Sequence, residues 1–174
     1  MIFLVPSLAL SIGQVGCGSG VSKPVSPPQP PTMKLSAFDA IEYAPTRLSP
    51  STEQDEVSRA KIDQELGICM ANVPSARGAG SGPPVARTVV LEPMIEEIRK
   101  VSTTARVLGG ALAGGSGVRV SVVLRDQSTG EVLATPEFYN SANAMGAAYT
   151  FGVGDTLMLI EIAQEICNYV VENR

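Results

Sequence analysis

The stretch VRVSVVL, residues 118–124, limits the fold more than any other part of this chain. Val118, Val120, Val122 and Leu124 fall on one side of an extended backbone, and Arg119, Ser121, Val123 and Arg125 on the other, because successive strand residues point to opposite faces. The run DQSTG then reverses the chain, with Gly130 able to take positive φ, and EVLATPEFYNS returns as the partner strand. A hairpin that is apolar on one side needs a second layer to cover it.

Two helices are available as that layer. Ile62, Leu66, Cys69 and Val73 recur at spacings of four, three and four, the stripe of a helix packed along one face. Ser51 or Thr52 is placed to cap this helix, Glu53, Asp55 and Glu56 fall in its first turn where they favour the macrodipole, and Pro74 ends it. A second helix closes the chain. Asp155 is its candidate N-cap after Gly152 and Gly154, and Leu159, Ile162, Ile166 and Tyr169 trace its buried side, flanked by Ala163 and Val170.

Two further strands complete the pattern. Phe38, Ile41 and Tyr43 lie in a short apolar segment that ends at Pro45, and TVVLEPMIEEI is β-branched and extended from Thr88 to Ile98. Pro93 lacks a backbone donor, which predicts an edge or a bulge there. Residues 75–87, SARGAGSGPPVAR, form a connection longer than the usual ~4–6 residues. The expected fold is α+β: a small mixed sheet of about four strands, in the sequence order β-α-β-β-β-α, with both helices on one face. Residues 34–174 suit a single domain large enough for a proper core.

The chain ahead of this domain is of another kind. Sixteen residues without a charged side chain, MIFLVPSLALSIGQVG, precede Cys17. Pro6, Gly13, Gln14 and Gly16 interrupt the run, and it falls short of the about 20 apolar residues needed to cross ~30 Å of hydrocarbon. A signal h-region is the better reading, with Val15, Gly16 and Cys17 as the small-residue cleavage site of a lipoprotein signal. Gln14 stands where an aliphatic is usual, and no Lys or Arg precedes the run, which leaves open a start upstream of Met1. Residues 1–17 are therefore expected to be a signal peptide ending at an acylated Cys17, with palmitate-type chains anchoring the protein at ~0.8 kcal/mol per buried methylene. Ordinary cleavage and secretion, or retention as an N-terminal helix, are the other readings. Gly18 and Ser19, with no Asp in the second place, are compatible with outer-membrane sorting in a Gram-negative host. Residues 18–33 hold five prolines with Gly and Ser and one charge, Lys23. They read as a tether, extended at ~3.1 Å per residue, that lets the domain stand roughly 40–50 Å from its anchor.

Composition removes several kinds of chemistry. The chain has no histidine, so no Ser-His-Asp or Cys-His nucleophile and no imidazole metal site can be built. GGALAGGSG, residues 109–117, has neither the Lys and Ser/Thr of a P-loop nor the dinucleotide fingerprint. It reads as a tight or bulged entry into the strand, or, at Gly109, Gly110, Gly114, Gly115 and Gly117, as a segment for close backbone contact with a partner. Glu92, Glu96 and Glu97, and Glu161 and Glu165, cluster without the spacing of a calcium loop and read as solvated faces. Arg119 and Arg125 share a strand face, as a cationic stripe for an acidic partner or as ordinary solvent-facing residues. No cofactor or metal is called for. A net charge of −4 argues against nucleic acid as a partner. With Cys17 acylated, Cys69 and Cys167 remain as an even pair in an oxidising compartment, either bridged or as two buried thiols.

The run GALAGGSGVRVSVVLRDQSTGEVLATPEF followed by YTFGVGDTLMLIEIAQEICNYV resembles the bacterial lipoprotein family catalogued as domain of unknown function 4410. In that family a Gly-rich segment precedes a valine-rich strand, a D-x-x-TG-E-V turn opens the return strand, and FG-x-x-D opens the final helix. The resemblance covers residues 35–174, most strongly from Gly109 on. It implies an envelope lipoprotein with a small α+β domain, and it brings no established activity, ligand or catalytic residue. The expected role is a non-catalytic interaction or assembly module that meets another envelope protein by strand addition along the Pro93 edge or the Gly109–Gly117 segment. The alternative is a small-molecule or enzymatic pocket at Tyr149, Phe151 and Asp155, where a helix N-terminus would receive an anionic group.

Overall fold

The computed structural model describes residues 21–78, 80, 87–102, 104, 108, 115–142 and 153–174. Its elements are β1 (Ala40–Tyr43), β2 (Arg47–Leu48), α1 (Glu56–Met70), β3 (Ala76–Gly78), β4 (Thr88–Arg99), β5 (Ser116–Asp126), β6 (Val132–Ala134), β7 (Glu137–Ala142) and α2 (Val153–Glu172). The class is α+β, with a mixed sheet and, among the described residues, two long helices. The sheet has seven strands instead of about four, in the path β3-β1-β4-β5-β6, with β2 also on β4 and β7 also on β5.

Proline explains the extra strands. β1 runs parallel to Thr88–Leu91 and β2 resumes at Met94 and Ile95, so one flanking strand is broken around Pro45. The Leu91 and Ile95 carbonyls accept from the Ala44 and Ser49 amides at 2.9 and 3.0 Å. Peptide groups two residues apart face the same way, so Pro93, midway between them, turns its missing donor towards the break. β4 is thus an interior strand between β1/β2 and β5, and the expectation of an edge at Pro93 is corrected. The register irregularity of β4 comes later, between Ile95 and Glu97. On the far side β6 stops at Ala134 and β7 starts at Glu137, and between them the Pro136 carbonyl accepts from the Val122 amide at 3.0 Å. Val122 is the register partner of Pro93, so the breaks at Pro45 and Pro136 lie on one line across the sheet.

The two helices cover one face. Val89, Leu91 and Ile95 of β4, Val118, Val120, Val122 and Leu124 of β5, and Phe138 of β7 meet Ile62, Leu66 and Met70 of α1 and Met158, Leu159, Ile162, Ala163, Ile166 and Val170 of α2 in one buried cluster. Each fully buried aliphatic of this size contributes roughly 1.5–3 kcal/mol. The disulfide Cys69–Cys167 ties α1 to α2, with Cα atoms 6.4 Å apart and the two cysteines 98 positions apart in sequence.

Both helix starts differ from the sequence expectation. Asp55, not Ser51 or Thr52, caps α1 by accepting from the Ser58 amide. The two hydroxyls are taken by the sheet, Ser51 Oγ donating to the Glu96 carbonyl at 3.0 Å and Thr52 Oγ1 to the Ile95 carbonyl at 3.1 Å. α2 already begins at Val153, which puts Asp155 in its first turn instead of at the cap. At the β5–β6 turn the Asp126 carboxylate accepts from the Ser128 amide and hydroxyl at 2.8 and 2.6 Å, and Gly130 has φ 74°.

Candidate functional site

The face of the sheet away from the helices carries alternating charge. Glu92 lies between Arg47 at 3.5 Å and Arg125 at 3.6 Å, and Arg119 between Glu97 and Glu137. Glu96 accepts from the Ser121 hydroxyl at 2.6 Å, and the buried Glu42 pairs with Arg77 on the neighbouring strand at 2.8 Å. These pairs follow from register: Glu97 stands opposite Arg119, and Glu42 opposite Arg77. Arg119 and Arg125 therefore spend their charge within the sheet and do not form a cationic stripe. Glu161 and Glu165 lie elsewhere, on α2, where burial pushes the Glu165 carboxyl up against the opposing effect of the Asn140 amide, which donates to it at 3.1 Å.

Across this face runs the N-terminal segment. Val21 lies on Gly117 so closely that a Cβ there would come within 3.1 Å of the valine Cβ. The Ser22 amide donates to Glu97 Oε2 at 3.0 Å, and the Lys23 ammonium sits 5.3 Å from the centre of the Tyr139 ring. The Ser22 amide, with Arg119 beside it, holds the Glu97 carboxyl below the usual carboxylate range. Pro24 to Pro30 then pass round the sheet edge beside Ala134, Thr135, Pro136 and Glu137. On the helix side the Tyr169 hydroxyl donates to the Gln29 carbonyl at 2.7 Å, and the Thr32 amide donates to the Leu133 carbonyl of β6 at 3.0 Å. Tyr169 also meets Phe138 edge to face, ring centres 5.7 Å apart, and burial pushes its phenol up to about 12.

The described part of the segment expected to be a free tether, residues 21–33, is thus a strap. Its prolines suit the place: they give little to a hydrogen-bonded ladder and hold an extended course past an edge. Nothing periodic in the sequence marks these contacts, since the partners are single residues from β4, β5, β6, β7 and α2. The nearest signal was Tyr169, a buried phenol that needs an acceptor.

The other expected site residues divide in two. Cys17, Gly109, Gly110, Gly114, Tyr149 and Phe151 lie outside the described residues. Of the rest, Gly117 is inside β5 under Val21, and a Cβ at Gly115 would come within 3.0 Å of the Ala142 carbonyl, so both glycines serve close approach within this chain. Asp155 alone of the expected pocket is described. The grooves beside the strap are shallow, one of them about 550 Å³ between Pro28, Pro30, Phe138, Tyr169 and Asn173. No group of three His, Cys, Asp or Glu side chains there is placed to hold a metal, and no described helix is long and apolar enough to cross a membrane.

No protein-family profile and no curated protein matches the sequence. Among solved structures, a Xanthomonas campestris protein of the domain-of-unknown-function family 330 is similar at a TM-score of 0.51 and 8% identity, over 84% of this chain and 93% of that one. The PelC dodecamer from Paraburkholderia phytofirmans gives 0.49 at 12% identity, over 82% and 93%. A minor lipoprotein from Acinetobacter baumannii gives 0.39 at 14%, over 79% and 96%. The likeness to the Xanthomonas protein is one of fold.

Proposed function

We propose that this protein is an envelope lipoprotein, anchored through Cys17, whose α+β domain is a non-catalytic interaction or assembly module of the kind the resemblance to family 4410 implies. The observation that carries this reading is the Cys69–Cys167 disulfide. Such a bridge belongs to an oxidising compartment, and it leaves Cys17, at the end of the uncharged apolar run, as the remaining cysteine of three. The absence of histidine and the internally paired charges of the sheet support a role without catalysis. A partner envelope protein would add a strand beside β3, at one end of the described sheet path. The test is intact mass and detergent partitioning of the protein made in a bacterial host, beside Cys17→Ser. Acyl mass that vanishes in the variant is the expected result, and an unmodified wild-type chain in the aqueous phase would overturn the anchor.

A further inference from the structure

We infer that the strap fixes which end of the domain meets the bilayer: the end where β4 finishes and β5 begins rests against the lipid surface, with the β5–β6 turn pointing away. The inference rests on the anchor at Cys17 proposed above and extends it to orientation. It starts from chain length. Between Cys17 and Val21 there are four virtual bonds, which span at most about 14 Å fully extended. Val21 is not at a free end, because its side chain lies on Gly117 and the next amide is held by Glu97. Gly117 is the second residue of β5, and Glu97 is two residues from the end of β4. The chain just beyond β4 is at the same end, since the Val101 amide donates to Ser116 Oγ at 3.0 Å.

A free tether of sixteen residues would leave the domain able to turn in any direction at roughly 40–50 Å from its lipid. A strap held at Ser22, Gln29 and Thr32 leaves only the short link before Val21 to reach the membrane. The opposite end of β5 then stands higher by up to the length of the strand, whose eleven residues are separated by ten rises of ~3.3 Å, or about 33 Å. The ligand is the bilayer itself, and the recognising feature is the covalent acyl chain delivered at one end of the sheet.

The experiment uses the acylated full chain, its mass verified, in phosphatidylethanolamine/phosphatidylglycerol vesicles that carry a headgroup quencher. Fluorophores are placed by Ser102→Cys, next to the β5 start, or Gln127→Cys, at the far turn; both positions are exposed. Hydrogen exchange at Ser22 and Thr32 is read on the same material. The orientation predicts quenching at position 102 at least threefold that at 127, and exchange at both amides slowed tenfold or more. Val21→Asp, which leaves the sheet untouched, should speed the Ser22 amide tenfold and bring the two quenching values together, and Gly117→Val should do the same by displacing Val21. Equal quenching in the wild type, or unprotected Ser22 and Thr32 amides on an acylated chain, would overturn the orientation and leave the anchor standing. A chain without acyl mass would overturn both.

Discussion

The two faces of the sheet are held by different physics. On the helix side, β4, β5 and β7 meet α1 and α2 through apolar side chains that are almost wholly buried, and a disulfide closes the pair of helices. On the other side, ion pairs of half-exposed residues and a proline-rich strap do the covering. Apolar burial is roughly additive in area and is not screened by salt, whereas exposed ion pairs contribute about 0–1 kcal/mol each and fade as salt rises. The comparison teaches that stability resides on one face, while the other sets where the N-terminal chain lies.

That contrast can be broken at graded cost. Replacing both Cys69 and Cys167 by Ala should cost the most, about 4–5 kcal/mol by loop entropy for a bridge closing 98 residues, read as a lower urea midpoint. Ile162→Ala, in the centre of the covered face, should cost about 2–5 kcal/mol. Tyr169→Phe removes the hydroxyl that the Gln29 carbonyl accepts, and should cost about 1 kcal/mol while exchange at Thr32 rises. Arg119→Met should cost about 1 kcal/mol or less, and the loss should shrink in 0.5 M salt; a loss as large as that of Ile162→Ala would collapse the distinction between the faces.

The smallest effect is a titration. Glu97 has its carboxyl held below the usual range by the Ser22 amide and Arg119, so the folded state binds its proton more weakly than the unfolded one. Its contribution is present above the unfolded carboxylate value, near 4.5, and is lost as pH falls through the lower folded value. The protection factor of the Ser22 amide, its exchange relative to an unprotected amide at the same pH, should therefore fall on acidification below that range and should not change with pH there in Glu97→Gln. At the other extreme Tyr169, pushed up to about 12 by burial, favours the fold below pH 10, and that contribution should be lost between pH 10 and 12.

The covered face was legible in the sequence because burial writes a period. Val118, Val120, Val122 and Leu124 alternate, Ile162, Ile166, Tyr169 and Val170 follow a helical stripe, and all of them are buried where the pattern put them. The charged face was read only as solvated, since pairing depends on register between distant segments, as in Glu97 with Arg119 or Glu42 with Arg77. The cap of α1 was missed because Ser51, Thr52 and Asp55 are all good capping residues, and the choice among them was made by the Ile95 and Glu96 carbonyls of a strand far away in sequence. The strap was missed for a related reason. Its composition describes a flexible linker, and composition says nothing of a docking surface built from β4, β5, β6, β7 and α2.

The line of strand breaks at Pro45 and Pro136 has a further consequence, for the behaviour of many copies at once. Among the described residues, outside the long β4–β5 pair, no strand exceeds the six residues of β7, and β2, β3 and β6 have two or three. Edge-to-edge aggregation needs a long, straight template of unpaired amides and carbonyls, and the described borders are interrupted, so each offers room for one short partner strand but not for such a template. Copies brought close together would meet along the described borders through fragments too short to propagate a fibril, although the centre of the sheet is a strongly β-forming pair of strands.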